Sequence, residues 1–164
     1  MNEERIEGFD RLCRDEYARI VRTAYLITGD REEAMDLAQE AFGRAFARWK
    51  VVSQLDRPGA WLQRVVANLA LSWRRRRRVR TRADLEVPDA PTADDAHLEL
   101  LEALTSLTPA QRSAVVLRYY ADQSVDQTAR ALGKKPGTVR ALTSQGLARL
   151  REFLREEAED DARR

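Results

Sequence analysis

The chain of 164 residues holds one cysteine and one histidine, and both scarcities close off chemistry. Cys13 has no partner for an internal disulfide, and a lone thiol suits a reducing compartment. Its neighbours put it at a half-buried helix position, where it serves as a small hydrophobe. His97 stands apart from any group of Cys, His and carboxylates with metal-ligand spacing, so no metal and no cofactor are expected. Asp36 and Glu40 lie four apart on one helix face, yet nothing nearby supplies a nucleophile or a phosphate loop. An enzyme is a poor reading. No apolar run approaches the roughly 20 residues needed to span a bilayer, and Met1-Asn2-Glu3-Glu4-Arg5 does not lead from a basic stretch into an apolar one. A cytoplasmic protein without membrane insertion is expected. β-Rich segments and internal repeats are also missing, which leaves helices.

What the chain does have is charge, and the distribution matters more than the sum. The net charge is only +2, because 27 acidic residues nearly cancel 29 basic ones. Of the basic residues three are lysine and 26 are arginine. Guanidinium favours bidentate contact with phosphate or carboxylate, although a biased genome composition yields the same excess.

Apolar steps of three and four predict a helix over Phe9 to Thr28, with Phe9, Leu12, Cys13, Tyr17, Ile20, Val21, Ala24 and Tyr25 as its stripe. After Thr28-Gly29, Asp30 is a helix cap, with Glu33 completing a capping box. The helix that follows runs to about Trp49, and a looser stretch from Lys50 to Arg57 comes next. Pro58 opens a third helix that carries Trp61, Leu62, Val65, Val66, Leu69 and Trp73 and ends in five arginines, Arg74 to Arg78. Thr81 to Ala96 then changes character, with Pro88, Pro91 and the acids Asp84, Glu86, Asp89, Asp94 and Asp95, a linker composition. Periodicity returns with Leu98, Leu101, Leu104 and Leu107. Thr108 caps a helix in which Val115, Val116 and Tyr119 should point inward. Ser124, with Gln127 at the third position, caps the next, and Gly133 ends it. The final helix starts at Pro136, and its charged end should fray. The expected fold is all-α, with two small helical domains joined by a flexible acidic linker. The boundaries are 1–80, a linker over 81–97, a second domain over 98–157 and a frayed tail over 158–164.

The second half reads as a helix-turn-helix. The turn from Leu132 to Pro136 is too short for antiparallel helices, so the pair must cross steeply. That leaves the start of the second helix free to enter a major groove. With Val139, Thr143, Gly146 and Leu147 facing the core, Lys135, Thr138, Arg140, Ala141, Ser144 and Gln145 include the groove-facing set. Lys134, Lys135 and the amides of the helix start suit phosphates, while Arg140 and Gln145 suit base edges. A small bundle with a merely solvated polar surface fits the same pattern. In the first half, Arg74, Arg75, Arg76, Arg77 and Arg78 occupy every azimuth of a helix, so one salt-bridge face cannot serve them all. Phosphate is the obvious counter-charge, and a solvated helix end is the alternative. Just before them Trp61, Arg64, Asn68 and Ser72 form an aromatic and polar ledge of the kind that holds unpaired bases. Core placement is the other reading for the tryptophans, favoured for Trp49 and Trp73. The face bearing Arg31, Asp36, Gln39, Glu40 and Gly43 suits a protein partner better than DNA, with solvent exposure equally compatible.

In order along the chain stand Tyr25-Leu26-Ile27-Thr28-Gly29-Asp30, Asp36-Leu37-Ala38-Gln39-Glu40-Ala41-Phe42, Pro58-Gly59-Ala60-Trp61-Leu62 and Val65-Val66-Ala67-Asn68-Leu69-Ala70. Leu107-Thr108-Pro109-Ala110-Gln111-Arg112, Val116-Leu117-Arg118-Tyr119-Tyr120, Ala131-Leu132-Gly133 and Gly137-Thr138-Val139-Arg140 follow. In this order and spacing they resemble a sigma factor of bacterial RNA polymerase, of the compact extracytoplasmic-function group and most like its short actinobacterial members. The resemblance implies that Asp36, Gln39 and Glu40 dock on the coiled-coil clamp of the largest polymerase subunit. It implies that Lys50 to Trp61, with Asn68, takes the melted minus-ten element as a flipped base and its neighbours. Arg74 to Arg78 would lie on nearby promoter phosphates, and the helix from Pro136 would read the duplex minus-thirty-five element. The acidic linker would thread toward the active-site cleft, the second domain would meet the beta flap, and an anti-sigma factor is a possible further partner. The chain departs from the family at Ser72, where Asp is frequent, and at Ala141 and Leu142, where a polar pair is usual. Gln145 stands for a common Arg, and Thr128 for an aliphatic residue whose replacement hydroxyl needs an acceptor. The competing reading is a helix-turn-helix regulator whose first domain binds a protein partner.

Overall fold

A computed structural model describes residues 3–78, 100 and 102–163 of the chain. The acidic stretch expected to be a linker, 81–97, lies outside the described residues, as do His97, Leu98 and Leu101. All regular structure among the described residues is helical, and the chain divides into two compact units, Met1–Pro88 and Asp89–Arg164.

In the first unit α1 spans Glu3–Thr28, α2 Arg31–Ala47, α3 Trp49–Val52 and α4 Pro58–Arg78. α1 packs against both α2 and α4, and α2 packs on α4. The core has one side made of small residues. Ala34, Ala38, Ala41 and Ala45 of α2 are fully buried, as are the larger Ile20, Leu62 and Val66 on the facing helices. Each of those larger side chains contributes roughly 1.5–3 kcal/mol by leaving water. Thr23 and Gln63 are buried among them, and the Thr23 hydroxyl is 2.5 Å from Gln63 Oε1. An aromatic cluster closes the other end, where Phe9 meets Phe46 and Trp49 edge-on at 5.0 and 5.4 Å between centroids.

The boundaries follow local chemistry, with four differences from the sequence expectation. α1 begins at Glu3 rather than Phe9. Because the end of α1 packs on two helices, Leu26 and Ile27 are buried there, whereas Tyr17, expected in the stripe, is 40% exposed. Gly29 takes φ +70° after α1, a left-handed conformation that glycine adopts without steric cost. The Asp30 carboxylate accepts from the Glu33 N–H at 3.0 Å, as a cap should. The capping box is only half made, however, because the Asp30 N–H donates to Thr28 Oγ1 instead. Finally, the stretch after Trp49 is not loose from its start, since Trp49–Val52 forms one helical turn.

In the second unit residues 102–105 are helical. α5 spans Pro109–Val115 and runs into a π-helical segment, Val116–Tyr120; α6 spans Val125–Leu132 and α7 Pro136–Asp161. Both expected caps are complete reciprocal boxes, Thr108 with Gln111 and Ser124 with Gln127. Gly133 ends α6 at φ +62°, and the Lys134 N–H donates to the Ala129 carbonyl at 2.9 Å. The π-helical turn corrects one expectation. Its wider ring carries the Ala121 N–H to the Val116 carbonyl and breaks the 3.6-residue phase. Leu117 is therefore fully buried, and Tyr119, expected to point inward, is 59% exposed. The reversal after it is tied by Arg118, whose guanidinium donates to the Gln123 carbonyl. The tail expected to fray is helical through Asp161, and Arg155 and Glu159 stand one turn apart along it at 4.0 Å. α7 packs on α5 and α6, and a Cβ built on Gly146 would fall 2.7 Å from Val115 Cγ2.

Candidate nucleic-acid and polymerase interfaces

α7 is amphipathic about one clear axis. Val139, Thr143 and Gly146 are buried, while Lys135, Thr138, Arg140, Ala141, Ser144 and Gln145 are exposed. At about 100° per residue the exposed set is centred opposite the buried one. Within it Thr138, Ala141 and Gln145 form one edge, and Arg140 and Ser144 the other. The Thr143 hydroxyl donates to the Val139 carbonyl at 2.9 Å, so it is satisfied inside the unit. Lys135 precedes the first turn, which has no side-chain cap, so its amides remain available to an anion. Lys134, Lys135 and Arg140 form no ion pair among the described residues and are exposed. Beneath this surface Thr128 is fully buried and its hydroxyl lacks the acceptor that the sequence reading required.

In the first unit α4 continues through the arginines, as its sequence suggested. Arg64 and Asn68 are exposed, and Trp61 and Ser72 are half-buried. Trp61, Asn68 and Ser72 follow each other at steps of seven and four and share one side of the helix. Trp49 is core, at 7% exposure. Trp73, favoured as core from sequence, is only half-buried, and the Arg77 guanidinium lies over its ring at 5.0 Å. Arg77 also meets Asp30 Oδ2 at 3.3 Å. This pair joins the arginine run to the start of α2 across 47 positions, and no local sequence signal announces it. Arg74 is half-buried, Arg75 and Arg76 are exposed, and the side chain of Arg78 is outside the described set.

On α2 the residues Arg31, Asp36, Gln39, Glu40 and Gly43 are all exposed. Helical geometry gathers Asp36, Gln39, Glu40 and Gly43 into one stripe and leaves Arg31 about 140° away from Asp36. Glu40 is paired with Arg44 one turn on. Met35, at 37% exposure, adds an apolar group beside the stripe that sequence reasoning had passed over. Among the described residues no helix is long and apolar enough to cross a membrane.

Two helical units, one with a basic aromatic ledge and one with a helix-turn-helix, define a class of promoter-directed transcription proteins. Residues 12–80 match the sigma-70 region 2 model and residues 97–150 match sigma-70 region 4. The RNA polymerase sigma-E factor of Streptomyces coelicolor is 34% identical over 151 residues, covering 89% of this chain and 85% of that protein. The extracytoplasmic-function sigma factor SigL of Mycobacterium tuberculosis is 31% identical, covering 87% and 86%. A solved structure of the sigma factor RpoE of Bartonella quintana, in complex with the anti-sigma factor NepR, has the same fold. Its TM-score is 0.66 at 21% identity, and the match covers 90% of this chain and 96% of that one. The chain belongs to the extracytoplasmic-function sigma factors of the sigma-70 superfamily. It is a non-catalytic protein that binds core RNA polymerase and directs transcription.

Proposed function

We propose that the two units divide promoter recognition between them. The first takes a melted minus-ten element and the second reads duplex minus-thirty-five DNA. The observation that carries this reading is the segregation on α7, where every polar or basic candidate is exposed and the buried residues lie on the opposite side. An exposed basic edge beside a helix start without a side-chain cap suits a duplex backbone, and Arg140 and Gln145 have the donor groups that base edges require. The α4 ledge supplies the complementary half, with Trp61 to stack a base, Asn68 for its edge, and Arg64 with Arg74 to Arg76 for phosphates. Arg77 is engaged by Asp30 and Trp73, so it acts on DNA only after that pair opens. The stripe of Asp36, Gln39, Glu40 and Gly43 is assigned to the coiled-coil clamp of the largest polymerase subunit. The second unit is assigned to the beta flap, and residues 81–97 serve as the tether that lets both units reach their targets. The Bartonella relative was solved with an anti-sigma factor, and an inhibitor that masks these same faces is proposed here as well.

Purified chain added to core polymerase on a library of genomic promoters tests the division. Transcripts should begin at a small set of sites sharing two sequence elements, one upstream of the other. Starts that share only one element, or initiation no more selective than core polymerase alone, contradict it.

A further inference from the structure

α4 turns opposite sides to two different surroundings. Trp61 and Asn68 lie on the ledge, whereas Gly59 and Gln63 are buried against α1. At about 100° per residue Gly59 and Gln63 each stand about 160° from Trp61, so whatever grips them decides where the ledge points. The grip is polar. A Cβ on Gly59 would collide with the Glu16 carboxylate of α1, standing 2.5 Å from its Cδ. One turn along α4, Gln63 is fully buried and its Oε1 accepts from the Thr23 hydroxyl at 2.5 Å. Glu16 and Thr23 flank the buried Ile20 on α1 at steps of four and three, so both contacts share one seam between the helices.

This seam is a poor way to gain stability. Glu16 Oε2, 3.8 Å from the Arg19 guanidinium, and Gln63 Nε2 are buried without a hydrogen-bond partner among the described residues. Apolar side chains of similar size would avoid that cost. Apolar packing, however, has no direction. A hydrogen bond and a carboxylate pressed on bare backbone do, and they grip α4 at two points about 6 Å apart along its axis. Two such points fix both the rotation of α4 and its sliding along α1. A slip of one residue would turn the ledge by about 100°. We propose that Glu16, Thr23 and Gln63 are positioning residues that hold α4 in one register on α1 and thereby aim Trp61 and Asn68 at the strand. The proposal rests on the assignment of the α4 ledge to single-stranded DNA and adds the residues that orient it.

Thr23→Val with Gln63→Leu removes the hydrogen bond and the buried amide without emptying the core. Holoenzyme carrying this double substitution is tested on a single-stranded oligodeoxynucleotide spanning the mapped minus-ten region. Strand affinity should fall about tenfold, the lower part of what one base stacked on an aromatic ring contributes. The thermal midpoint of the free protein should be unchanged or higher, and affinity for core polymerase unchanged. Thr23→Ser, which keeps the hydroxyl, should bind the strand like wild type. Gly59→Ala and Glu16→Ala should each weaken strand binding, and together by less than the product of their separate effects, because they act at one contact. Effects that multiply would overturn the part assigned to Glu16. Wild-type strand affinity in the Thr23, Gln63 double variant overturns the register seam, provided Arg64→Ala with Asn68→Ala still weakens the strand. A lowered thermal midpoint with core and strand affinity falling together would make the seam merely structural and also overturn it. If Arg64→Ala with Asn68→Ala leaves strand binding unchanged, the ledge assignment falls and the proposal with it.

Discussion

Thr128 and Cys13 show how single side chains are constrained by what surrounds them. Thr128 is fully buried with an unpartnered hydroxyl, and desolvating that group without a hydrogen bond costs stability. Thr128→Val keeps the shape and removes the polar atom, so chemical denaturation should show a gain of about 1 kcal/mol in the second unit. A loss would mean that the hydroxyl finds a partner in solution. Burial, and then the nearby Asp10 carboxylate, raises the Cys13 thiol above its ordinary range. The thiolate is the reactive form, so alkylation at about pH 8 should run slower in the folded protein than in the unfolded chain. Equal rates would contradict that burial. Arg140 is exposed and forms no ion pair among the described residues, and Arg140→Ala should cost duplex binding about 1–3 kcal/mol with an altered base preference. Equal weakening on every sequence would make it a phosphate contact.

At the scale of elements, close approach and phase decide the outcome. α5 and α7 meet where Gly146 has no side chain, and Val115 fills the space. Gly146→Ala should destabilise the second unit by roughly 1–3 kcal/mol, read as a lower thermal midpoint, because added volume in a packed contact forces displacement. What was legible in the sequence at this scale was what acts within four residues. The boxes at Thr108 and Ser124, the stop at Gly133 and the start at Pro58 all have their partners nearby. Tyr119 was misplaced because its phase was extrapolated through a π-helical turn, and hydrophobic periodicity carries no mark of such a turn. The tail beyond Glu156 seemed ready to fray on charge alone, but charges spaced one helical turn apart offset each other. The Arg77 pair with Asp30 was invisible for a different reason. It depends on where two helices end in space, which pattern along one helix does not encode. The same holds for Gly59, whose backbone sits so close to the Glu16 carboxylate that any Cβ would collide with it.

For the whole molecule, the two-unit helical fold and the exposed sides of α2, α4 and α7 follow from patterns written in the chain. The four-residue stripe on α2 emerged only with helical geometry, which excluded Arg31 and added Met35. Asp36→Ala with Gln39→Ala should lower affinity for core polymerase at least tenfold, about 1.4 kcal/mol, while leaving both units folded. Full affinity in a quantitative pull-down would remove the docking assignment. Exposed carboxylates contribute little to stability, so a large drop in melting temperature would also contradict a purely docking role.

The division of labour between the two units is tested most directly by combined permanganate and DNase I footprinting of the holoenzyme on a mapped promoter, the first reading melted thymines and the second duplex protection. Wild-type protein should give reactive thymines in the minus-ten region together with protection of the upstream duplex element. Arg64→Ala with Asn68→Ala should abolish the reactive thymines and keep the upstream protection, whereas Arg140→Ala should weaken the protection first. If both signals vanish together in the first variant, or persist unchanged in both, recognition is not divided between the α4 ledge and α7.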